Sequence, residues 1–361
     1  MSLASTMLNG GSIYGGVSVN VSRYGHDTGA MLIATESVEE LHDIFLEGFY
    51  VTEDAEVQAA MEGVDFESSE YGAVAESASK SVIQRIKEFF KKLWEKIKAF
   101  FHNIRKYFDS LFMNAKDFAK KYEKEIKEAN KYIKDFTFKM FEYNNQAIDN
   151  VIEKVSDVST EAGKHTTNVK DLMELLEKDS NDNHTETGEK PEITAKLDAL
   201  KQDAEDAEDK ALEKICASLT GGFKAKTYDE LDEELFSYFR GGATDADDKT
   251  EVDVNDLTIY MKILLNDKAS KSASTAESNL KKVMDKANKT INDAEKTVNK
   301  VSGKGASNIA EALRYLSTIV AAHNTVVSKM ITIWKQVISE RQSTYKSLLM
   351  AGMTNARKNT K

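Results

Sequence analysis

Proline and cysteine are almost missing from this chain of 361 residues, which carries one of each. Proline breaks helix interiors and punctuates loops, so its scarcity favours long helices and disfavours a turn-rich β-sandwich. The lone cysteine, Cys216, excludes an intramolecular disulfide framework and a cysteine-based zinc site. Its neighbours Leu212 and Ile215 are apolar, which makes it a core thiol rather than a nucleophile. No run approaches the roughly 18 uncharged apolar residues of a membrane-spanning helix. The first twenty residues lack the basic and apolar regions of a secretory signal. A net charge of −11 argues against nucleic-acid coating by the chain as a whole.

Catalytic patterns are missing too. His26, His42, His102, His165, His184 and His323 are scattered, with no HExxH spacing. His323 falls on an apolar stripe and reads as a packed histidine. The acidic run from Asp245 to Asp253 lacks the glycine and the glutamate of a calcium loop, so it reads as a solvated loop. The glycine pairs at 10–11, 15–16, 221–222 and 241–242 have neither the Lys-Ser or Lys-Thr of a phosphate loop nor a dinucleotide context. No cofactor and no metal is expected, and the reading is non-enzymatic.

What is present is 41% hydrophobic and 30% charged residues in a helical pattern. Ile86, Phe90, Leu93, Ile97, Phe100, Ile104, Tyr107 and Leu111 advance by alternating steps of four and three, the period of a packed helix seam. Phe89, Trp94, Phe101 and Phe108 widen it. Burying one large apolar side chain is worth roughly 1.5–3 kcal/mol, so this face of helix 81–113 must meet other helices, a partner chain or a membrane. Lys87, Lys91, Lys98, Arg105 and Lys106 flank it and form a candidate basic surface for anionic lipid or packaged nucleic acid.

Further helical pattern covers about 115–178, 193–218, 228–239, 254–266 and 270–302, with a second amphipathic helix over 307–350. Shorter helices are expected at 37–49 and 54–61. Residues 179–192 are polar, hold Pro191, and read as a linker between a basic, aromatic-rich region, 77–178, and a C-terminal helical region, 193–361. The expected fold is all-α: long antiparallel helices in an elongated helical bundle behind a partly disordered N-terminal leader.

That leader, residues 1–76, brings the sharpest change in the sequence. Residues 31–79 hold thirteen Asp or Glu and no Lys or Arg. Residues 80–140 hold seventeen Lys or Arg against eight Asp or Glu. The two segments can neutralise each other. Within the leader, glutamates precede small residues at Glu36–Ser37, Glu47–Gly48, Glu62–Gly63 and Glu76–Ser77. Here the chain resembles substrates of the prohead proteases of large contractile-tailed phages, which cut after the glutamate of Leu/Ile-x-Glu. Ala60-Met61-Glu62 and Val74-Ala75-Glu76 depart from that pattern at its first position.

The organisation is similar to that of prohead core and internal head proteins of large tailed bacteriophages: acidic propeptide, helical body, no catalytic motif. The resemblance implies a multi-copy structural component of the virion interior, assembled in the bacterial cytoplasm. Its implied partners are capsid and scaffold proteins, packaged DNA, and a membrane after ejection. Glu62 or Glu76 would be the scissile position, leaving Gly63 or Ser77 as the new N-terminus. A membrane-active helical protein using helix 81–113 and a helical adaptor are the alternatives.

Overall fold

The computed structural model describes residues 69–181, 191–219 and 223–360. The chain is all-α, and eight helices are present among the described residues. Four are long: α1 (Ser69–Ala129), α2 (Asn145–Asn181), α7 (Lys268–Thr297) and α8 (Gly303–Asn359). Four are short: α3 (Pro191–Glu205), α4 (Ala207–Ser218), α5 (Tyr228–Phe239) and α6 (Leu257–Leu264). A two-stranded antiparallel ribbon joins β1 (Thr137–Met140) to β2 (Thr250–Asp253), with Phe138 opposite Val252. The helices expected at 37–49 and 54–61 lie outside the described residues, as do Glu62, Gly63 and Gly221–Gly222.

Local chemistry sets the helix ends. Thr227 caps α5 by accepting the Glu230 N–H at 3.2 Å, while the Glu230 carboxylate reaches back to the Lys226 N–H at 2.7 Å. Gly241 ends the helix with φ +70°, and the Gly242 N–H returns to the Ser237 carbonyl at 2.8 Å. Asp256 caps α6 through the Thr258 N–H at 2.8 Å, and Ser302 caps α8 through the Gly305 N–H at 3.2 Å.

Helix α8 is more enclosed than an amphipathic surface helix. Between Gly305 and Gln342 no side chain is fully exposed, and most are buried. The reason is its position: α1, α2 and α3 to α6 all pack on it, so only a narrow, partly exposed stripe through Glu311, Tyr315, Lys329, Gln336 and Glu340 is left over that span. Trp334 on α8 stacks edge-on against Phe108 of α1, with ring centroids 5.1 Å apart, and donates to the Ile148 carbonyl of α2 at 2.7 Å. Contacts along the helices fix direction. α1 and α8 run parallel, as Phe108 meets Trp334 and Glu125 meets Arg357. α1 with α7, and α2 with α8, run antiparallel.

The polar stretch at 179–192 separates the sequence into two regions but does not separate the core. One cluster of buried residues runs from Val82 in α1 to Ala356 in α8. The linker is also shorter than expected, because α2 continues to Asn181 and Pro191 opens α3.

Candidate functional site

The aromatic seam of α1 is closed within the chain. Ile86, Phe90, Leu93, Ile97, Phe100, Phe101 and Ile104 are all buried, against α7 and α8. Trp94 is half-buried at the edge, with the Lys98 ammonium 5.9 Å from its ring. The candidate packing face is therefore an internal one, and lipid could reach it only if α7 and α8 moved away.

The five predicted basic residues divide into three groups. Lys87 binds Glu295 of α7 at 3.0 Å, and Arg105 pairs with Glu277 of α7. Both tie α1 to its antiparallel neighbour. Lys98 pairs with Glu95 on its own helix at 2.7 Å. Lys91 and Lys106 are exposed. What sequence could not place beside them is α7, whose Lys271, Lys281, Lys282, Lys286, Lys289 and Lys296 are also exposed. Segments 80–106 and 268–300 together hold seventeen Lys or Arg against six Asp or Glu. The opposite sign collects in 191–248, covering α3 to α5, with sixteen Asp or Glu against seven Lys or Arg. Those helices pack on α8 and α2 and make no extensive contact with α1 or α7. The fold thus holds a cationic helix pair apart from an acidic layer.

Of the candidate cleavage positions, Glu76 and Ser77 fall inside α1, which starts seven residues before Glu76 rather than after it. The leader boundary expected at 76 is corrected accordingly. Residues 69–80 contain no proline, and Ala73, Ala75 and Ala78 favour helix, so nothing stops α1 from extending upstream of the seam. Ser77 is exposed.

A second constellation escaped the sequence reading. The Arg341 guanidinium is 2% exposed on α8, donates to Asn145 Oδ1 at 2.7 Å, and lies 4.0 Å from Asp149. Burial pulls its pKa down, while Tyr345, Asp149 and Tyr143 oppose that. Asp149 also accepts from Asn266 at 2.8 Å, joining α2 to the α6–α7 turn. Beside it, Arg240 lies between the Phe141 and Phe236 rings, 4.6 and 4.5 Å from their centroids, and binds Glu340 at 2.9 Å. Most of these groups find partners in one another, with the buried Arg341 Nε the exception, and the network ties α2, α5 and α8 in register. The sequence leaves no trace of them, because Arg341 sits in the polar run 339–344.

On α5, Asp232 binds Lys329 of α8 at 3.2 Å. Burial pushes the Asp232 carboxyl up to about 6, against the pull of Lys329. Cys216 is buried, with its sulfur 3.8 Å from Glu234, and burial raises the thiol pKa, which is the opposite of an activated nucleophile. His323 is buried with Nδ1 2.8 Å from the Ile319 carbonyl of its own helix. In the acidic loop, Asp248 accepts the N–H groups of Thr244 and Asp245 at 2.9 and 2.8 Å, so its carboxylate caps a turn.

No family model, curated protein or solved structure matches the chain. Among the described residues no helix is long and apolar enough to cross a membrane, and no three His, Cys, Asp or Glu side chains gather as a metal site.

Proposed function

We propose that this chain is a non-enzymatic structural protein of the interior of a phage head, made as a precursor and trimmed after Glu62 or Glu76. The observation that carries this reading is the segregation of charge between leader and body. Residues 1–76 hold fourteen Asp or Glu and one Arg, so a cut after Glu76 takes the net charge from −11 to +2. A cut after Glu62 takes it to −2. Either event turns a strongly anionic precursor into a nearly neutral body carrying a cationic helix pair, suited to close packing beside a polyanion. The described core begins at Val82, beyond both positions, so trimming spares it. At Glu76–Ser77 the protease must first unwind the start of α1, because a protease reads an extended chain. The Glu62–Gly63 bond lies ahead of α1.

Intact mass and N-terminal sequencing of the protein from mature particles test this. A start at Gly63 or Ser77 is expected. Finished particles that retain Met1 would remove the reading. The membrane-active alternative gains nothing from the geometry, since its insertion element is the buried seam.

A further inference from the structure

Two antiparallel helices bring together cations that are nearly two hundred residues apart in sequence. Lys87–Glu295, Arg105–Glu277, the Asp109–Ser270 hydrogen bond at 3.0 Å and Lys116–Asp267 stitch α1 to α7 along its length. The acidic groups among these are engaged in the seam between the helices. Lys91, Lys106, Lys281, Lys282 and Lys289 are exposed beside it. Such a concentration of like charge costs folding free energy through self-repulsion unless counter-charge lies nearby.

We propose that the acidic segment 36–67 of the same chain lies along this α1/α7 face. The segment holds eleven Asp or Glu and no Lys or Arg, and it enters α1 directly at Ser69. Its reach suffices. Lys106 lies about 55 Å along α1 from Ser69 at roughly 1.5 Å per residue. Thirty residues of extended chain span about 100 Å. Covalent attachment holds the segment at millimolar effective concentration, so weak screened contacts are enough to keep it there. A second copy would have to bring its acidic layer to the same face from bulk solution, without that advantage. The inference deepens the processing reading, which uses the same charge layout, but it does not require cleavage.

Zero-length carbodiimide coupling of the full chain, with light and heavy isotopic copies mixed, decides the matter. Leader carboxylates should couple within one chain to Lys91, Lys106, Lys281, Lys282 or Lys289, and the yield should fall about fivefold from 50 to 500 mM salt. A Lys91→Glu, Lys106→Glu, Lys281→Glu, Lys289→Glu variant with unchanged thermal midpoint should be cut after Glu62 by a glutamate-specific endopeptidase several-fold faster. Coupling to Lys196, Lys201 and Lys224 in equal yield, coupling only between chains, or no coupling would overturn the proposal in the wild-type protein alone. An intact Met1 in mature particles would end the processing reading and leave this one standing. Absent leader cross-links would do the reverse.

Discussion

At the scale of single residues, half-buried Asp232 and buried Trp334 illustrate different costs. Asp232 has its folded-state pKa raised from 3.8 to about 6, so the folded chain holds that proton more tightly than the unfolded chain. Its contribution to stability is fully present below about pH 3.8 and is lost as pH rises through about 6. Relative to an Asp232→Asn variant, the wild type should therefore gain about 2 kcal/mol between pH 7.5 and 4.5 in denaturant unfolding. A difference independent of pH would show that Lys329 compensates the buried carboxylate in full. Trp334 is the simpler case. It is 1% exposed, fills the space between α1 and α2, and satisfies its indole N–H on Ile148. Trp334→Ala should cost about 3–5 kcal/mol, measured by urea unfolding, because it leaves a cavity between α1 and α2.

At the scale of elements, Gly352 decides how closely α6 approaches α8. A Cβ there would come within 2.6 Å of Leu257 Cδ2, and Leu257 is fully buried. Helix propensity alone would favour Gly352→Ala by about 1 kcal/mol. Overpacking a closed contact costs about 1–3 kcal/mol, so the net expected effect is a lowered thermal midpoint. Pairing it with Leu257→Ala should recover part of the loss. The same scale shows what the sequence could reveal. Helix α5 was legible to the residue because Thr227, Glu230 and Gly241 are local signals. The seam of α1 was legible because its period is local too. The ribbon was not, since Thr137–Met140 and Thr250–Asp253 are four residues each and find their partners more than a hundred residues away. The break at Asp206 between α3 and α4 carries no proline or glycine and left no trace either. For the candidate site, the α1 cations were readable, but their α7 companions required the tertiary pairing.

At the scale of the whole molecule, the stripe of 307–350 changes meaning. Read alone, Ser328, Lys335 and Gln342 suggest a wet side for that helix. In the fold they are buried, and the Lys335 ammonium sits 4.4 Å from the Tyr107 ring centre. Polar residues at these positions do not mark solvent, since neighbouring helices cover them. Amides of residues 316–342 should accordingly be the slowest to exchange with deuterium, approaching the global unfolding limit, with α3 to α5 opening earlier. Uniform exchange across all eight helices would contradict a central α8.

Helix α8 has one more implication, for the order of events on the ribosome. The element on which α1 to α6 close is made after all of them. While Gly303 onward is still being added, the oily side of α1 has only α7 to cover it, and nascent chains must wait or be shielded. A message broken ahead of codon 303 would yield only material for chaperones and proteases, since every earlier helix would be present and none would have its keystone.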